Sequence, residues 1–126
     1  QLYHRALAIE PNETNNMGNL AQLYLLEGDK NQGKALIEQA FVLNPESIAL
    51  KLELWFYRFA HFPEDYPQAV TEIMTLLETG ERDEGWDFSG NIAQAEKDGH
   101  PNVALLQALA DVITGKAELD SLDTIA

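Results

Sequence analysis

Apolar residues recur along the chain at the three- and four-residue spacing of a helix face, and Pro, Gly or short polar runs interrupt the recurrence. Leu2, Ala6 and Ile9 share one face and stop at Pro11; Leu36, Ala40 and Leu43 share another and stop at Pro45, a residue that cannot continue a helix. Between them a helix carrying Leu20, Ala21 and Tyr24 runs to Gly28, which suits a left-handed helix end, and Asp29 is placed to cap the next helix. A further helix, Ser47 to about His61, is apolar round most of its circumference through Leu50, Leu52, Leu54, Phe56 and Phe59, so it is expected to be the central element. Its polar groups Ser47, Lys51, Arg58 and His61 lie along one side, with Glu53 roughly opposite Lys51. Asp65 opens a helix with Ala69, Ile73 and Leu76 on one face. Past Gly80 lies an acidic loop holding Trp86 and Phe88, then a helix capped by Asp87 or Ser89 that runs to about Lys97 and closes at Gly99-His100-Pro101. Asn102 caps a last long helix, Val103 to Thr114, with one narrow polar stripe of Gln107, Asp111 and Thr114; Ala117 to Leu122 adds a short final turn.

The two Pro-terminated helices are the same pattern displaced. Leu2 pairs with Leu36, Ala6 with Ala40, Ile9 with Leu43 and Pro11 with Pro45, each 34 residues on. Between the prolines stand Met17, Leu20, Ala21, Tyr24, Gly28 and Asp29. In this spacing the chain resembles the tetratricopeptide repeat, a 34-residue helix–turn–helix unit. The small Ala21 and Ala40 let paired helices approach, and Gly33 keeps that approach at a cost in helix stability of ~1 kcal/mol. The resemblance covers about residues 1–81: the second helix of a truncated repeat (1–13), a complete repeat (14–46) and a degenerate one (47–81). In the last, Asp65 falls two residues late, placing an insertion in the helix before it or at Phe62-Pro63, and Trp55 occupies the slot of Ala21. Residues 82–126 read as a helical cap, since a repeat array needs an end unit over its last apolar face. The expected fold is therefore all-α, a tetratricopeptide-like superhelical solenoid of stacked antiparallel helix pairs with a divergent C-terminal cap.

In that family the first helix of each unit lines a concave groove for an extended peptide or a partner helix. Carried over by register, the resemblance implies binding positions at Asn15, Asn19, Gln22 and Leu26 in the complete repeat and at Leu52, Glu53 and Phe56 in the degenerate one, with Gly18 and Ala49 on the same groove faces. Asn and Gln offer a peptide backbone both donor and acceptor, and Leu52 with Phe56 offers an apolar anchor. Glu53 on an apolar face is either a specificity contact or half of a local ion pair. Some family members clamp acidic chaperone tails with Lys, Arg and Asn; Asn19 fits such a clamp, but the basic partners are missing and Glu53 has the opposite sign.

Composition narrows the partners. Twenty-one acidic against eight basic residues leave a net charge of −13, which disfavours phosphate backbones and anionic membrane surfaces and favours a neutral or basic peptide with an apolar anchor. Charge of this size also serves solubility alone. No run approaches the roughly 18 apolar residues of a membrane span. The absence of cysteine removes disulfides, thiol catalysis and thiolate metal sites, without separating cytoplasm from periplasm. His4, His61 and His100 lack metal-ligand spacing, and neither a nucleophile elbow nor a phosphate loop is present, so no cofactor, metal or catalysis is expected. The chain opens on Gln1 inside a helical pattern, so upstream sequence is expected, and the unpartnered face of Tyr3 and Leu7 is a candidate for homo-oligomer contact. Two functions follow: a non-enzymatic scaffold that binds a peptide or partner helix in the groove, or an architectural or regulatory segment of a larger protein with the groove filled by its own tail.

Overall fold

The computed structural model of the chain describes residues 14–42, 48–84 and 86–124, and the side chains of 20–42, 48–84 and 86–122. Among the described residues there are six α-helices and no strand: α1 Thr14–Leu26, α2 Lys30–Val42, α3 Ile48–His61, α4 Tyr66–Leu77, α5 Ser89–Lys97 and α6 Val103–Ile113. Short 3-10 turns occupy Pro63–Asp65 and Leu119–Thr124. The fold is all-α. The N-terminal helix expected over Gln1 to Ile9, with its proposed contact face, lies outside the described residues.

The helix ends follow from local chemistry. At Gly28 the backbone turns to φ +87°, and its N–H and that of Asp29 reach back to the carbonyls of Leu25 and Tyr24 at 3.1 and 2.8 Å. This pattern satisfies the last carbonyls of α1, and only glycine adopts that φ without strain. Asp29 then accepts the N–H of Gln32 at 3.2 Å, capping α2. With three residues between them, α1 and α2 pack side by side as a hairpin, as a short connection requires. They pack tightly at Gly33: a Cβ there would lie 2.7 Å from Leu25 Cδ2 and 3.5 Å from the Ala21 carbonyl oxygen. Ala21 and Ala40 are fully buried in the same layer.

α3 packs against α1, α2, α4, α5 and α6, the central position that its apolar circumference predicts. Leu52, Leu54, Phe56 and Tyr57 have no exposed surface, and burying each such side chain contributes roughly 1.5–3 kcal/mol. The expected polar side is only partly polar in its surroundings. Lys51 and Arg58 are half-buried, and His61 is 2% exposed because α5 closes over it. Trp55 tilts against Phe41 of α2 at 4.8 Å, and the Arg58 guanidinium lies 4.9 and 5.0 Å from the Phe41 and Trp55 rings. A cation over two aromatic faces thus fills the seam that small residues fill in the first hairpin.

A three-residue 3-10 turn, Pro63–Asp65, precedes α4 and is anchored by buried Phe62. α4 buries Ala69, Ile73 and Leu77 and pairs with α3. Arg82 donates to the Leu77 carbonyl at 2.9 Å, which closes the C-terminal end of α4 and starts the loop back across the molecule. α6 buries Leu106, Leu109, Val112 and Ile113, and its polar stripe is bonded within itself, Gln107 Nε2 donating to Asp111 Oδ1 at 3.1 Å. His100 holds the bend between α5 and α6: its Nε2 donates to the Phe59 carbonyl at 2.8 Å, and its Nδ1 accepts the N–H of Asn102 at 3.0 Å. Asn102 in turn caps α6 through the N–H of Leu105.

Candidate functional site

α1 and α3 stand next to each other and present one shared face. That is the face on which the sequence places a groove, and α5 lies across it in contact with both helices. In a linear repeat array each unit touches only its neighbours. The contact between α5 and α1 breaks that rule, because the chain folds back after α4.

Phe88, at the entry to α5, is 2% exposed and sits 4.0 Å from the Phe56 ring at an interplanar angle of 31°, with its edge toward Tyr57 at 6.2 Å. Gly90 follows, and a Cβ there would come within 3.2 Å of both Leu26 methyl groups, so the backbone of α5 rests directly on that leucine. The next residue, fully buried Asn91, links the two underlying helices. Its Oδ1 accepts from Gln22 Nε2 of α1 at 2.8 Å, and its Nδ2 meets His61 Nε2 of α3 at 3.0 Å. Gln22 Nε2 also donates to the Asp87 carbonyl at 3.0 Å. A carbonyl only accepts, which fixes the Gln22 amide and in turn makes Asn91 the donor to His61. Burial foremost, with the nearby Lys30 charge, lowers the His61 pKa to about 4, so the ring is neutral and accepts at Nε2.

Beside this network the loop after α4 is tied to α3 by two carboxyl groups. Glu53 is 7% exposed, and burial first, then hydrogen bonding to and repulsion from Asp83, pushes its pKa up to about 10. Burial raises Asp83 as well. Near neutral pH the pair therefore holds a proton on Glu53, which donates to the Asp83 carboxylate. The Asp83 N–H donates to the Ile113 carbonyl at 2.7 Å, so the end of α6 holds the loop in register. Asp83 Oδ2 remains buried without a hydrogen-bond partner.

The residues assigned from sequence thus fall into three groups. Asn15 and Asn19 belong to α1, and their side chains lie outside the described residues. Gln22 and Leu26 do reach the shared face, where they meet Asn91, Asp87 and Gly90 of the same chain. Leu52, Phe56 and Glu53 require correction as open groove positions. Leu52 and Phe56 have no exposed surface, and Phe88 covers Phe56. Glu53 is neither an exposed specificity contact nor half of an ion pair; its partner is another acid. Sequence reasoning missed Asn91, Asp83 and Phe88. Only Phe88 gave a signal, as an aromatic residue stranded in an acidic loop.

Compared with family models, with curated proteins and with solved structures, the chain matches none.

Proposed function

We propose that this chain is an architectural segment of the tetratricopeptide kind, with its concave face filled by its own C-terminal helices and with no chemistry of its own. The observation that carries this reading is the seating of α5: Phe88 packed on Phe56, and Asn91 bonded at once to Gln22 and His61. A fully buried amide with partners on two other helices is part of a core, since exposing it leaves three polar groups to find new partners. The close approach of α1 and α2 at Ala21, Gly33 and Ala40 supports the repeat reading, because these are the positions where the repeat uses small residues. On this account the C-terminal helices make the repeat hairpins into one rigid body and set the geometry of whatever adjoins them.

The alternative scaffold function requires α5 to leave the face. Wild type and a Phe88→Ala/Asn91→Ala variant, screened against neutral and basic peptides with an apolar anchor, separate the two. The double variant is expected to melt at lower temperature and to gain no peptide binding. A variant that stays folded and captures peptides ignored by wild type would mean that α5 is a displaceable plug over a genuine binding groove.

A further inference from the structure

Away from the α1–α3 face, a cleft of about 310 Å3 opens where the start of α2, the end of α3, the 3-10 turn, the start of α4 and the end of α5 converge. That volume is at the small end of ligand sites and ample for a single small metabolite. Its wall is partly apolar, with Pro63, Tyr66 and Pro101, and the Tyr66 ring is held by His100 at 4.6 Å and Phe59 at 5.5 Å. Two opposite charges line it side by side: Lys30 Nζ lies 3.5 Å from Asp98 Oδ2, with side chains 43% and 38% exposed. Asp98 is held in place by Gln94 Nε2, which donates to its other oxygen at 3.1 Å. A long, half-exposed pair of this kind stabilises little and opens readily to a better partner.

His61 contributes a third group to the cleft wall. Because Asn91 donates to Nε2, the ring proton is on Nδ1, and that buried atom has no hydrogen-bond partner. Being closed off, that atom is out of reach of a ligand, and His61 serves the cleft as wall. We propose that this cleft binds a free hydrophobic α-amino acid as its zwitterion. Lys30 takes the carboxylate, Asp98 takes the ammonium, and Tyr66, Pro63 and Pro101 take the side chain.

The match is one of charge spacing. An α-amino acid carries ammonium and carboxylate on a single carbon, as close together as the Lys30 and Asp98 groups that would receive them. A simple anion meets Asp98 with the wrong sign, a simple amine meets Lys30, and a dipeptide holds its charges too far apart. No group of three metal-ligating side chains occurs among the described residues, so the cleft does not have the donor set of a metal site.

The test is a titration of the whole chain with L-phenylalanine and L-leucine, followed by calorimetry and by the nitrogen and proton resonances of the histidine rings. 3-Phenylpropionate, 2-phenylethylamine and glycine serve as probes lacking the ammonium, the carboxylate and the side chain. At least one of the two amino acids is expected to bind about tenfold or more tighter than any of the three partial probes. Lys30→Ala and Asp98→Ala should each weaken it by a similar factor, and the His61 ring resonances should shift on saturation because the ring lines the cleft. Lys34→Ala, which loses contacts with Glu64 and the Phe62 ring and does not line the cleft, should leave affinity unchanged. No saturable binding of either amino acid at ~10 mM, partial probes that bind equally well, or binding indifferent to Lys30 and Asp98 would each overturn the assignment.

Discussion

Phe56→Ala is expected to lower the unfolding free energy by about 3–5 kcal/mol, the cost of emptying a fully buried aromatic site. Phe56 has no exposed surface, lies on the helix that touches every other one described, and stacks on Phe88. Removing the ring leaves a cavity beneath the entry to α5, so the loss includes part of the seating of that helix. Urea unfolding of the variant against wild type gives the number. Val42→Ala is the control: Val42 is 83% exposed, and its truncation should change stability by less than about 0.5 kcal/mol. A Phe56→Ala variant as stable as the control would mean that the ring is accessible, and the apolar anchor expected from the sequence would return as a live reading.

The second large effect is a fall in stability with rising pH. An unfolded Glu53 titrates near 4.5 and the folded one near 10. Between these values the unfolded chain has released a proton that the folded chain keeps, so stability falls by on the order of 1 kcal/mol per pH unit. Asp83, also raised, acts in the same direction. His61 acts in the opposite sense: its pKa drops from 6.5 unfolded to about 4 folded, so the stability it contributes above 6.5 is lost as pH falls through that range. The opposing contributions of Glu53 and His61 offset each other between 4.5 and 6.5 and leave a clear decline above 6.5. Melting temperature should therefore drop from pH 6.5 to about 9, by the equivalent of on the order of 3 kcal/mol. Glu53→Gln, whose amide donates to Asp83 with no proton to lose, should flatten most of that slope and stabilise the chain at alkaline pH. A wild-type curve that is flat or rising over this range would mean that Glu53 is ionised and solvated in the folded chain.

Much of the fold is readable from the sequence because its signals are local. Gly28 with Asp29, and Gly99 with Asn102, mark helix ends through bonds among adjacent residues, and those bonds form where the residues stand. The apolar circumference of α3 likewise predicts its central place. The candidate site was less legible because it depends on which distant segments meet. Asn91 looks like an ordinary polar residue on a short helix, and nothing near it foretells bonds to Gln22 and His61, 69 and 30 residues away. Repeat register assigns Leu52 and Phe56 to an inner face but says nothing of what covers that face. Glu53 misleads for a different reason: charge counting assumes an ionised carboxylate, whereas a buried carboxyl facing another one keeps its proton.

The central claim is that α5 is a fixed part of the core that fills the face of α1 and α3. Native-state hydrogen exchange, resolved by residue across α3 and α5, tests it most directly. The account predicts that the amides from Ile92 to Lys97 are protected to nearly the same free energy as those around Phe56, and that denaturant exposes both in one step. Amides of α5 that exchange freely while α3 stays protected would contradict it, for α5 would then leave the face while the rest remains folded.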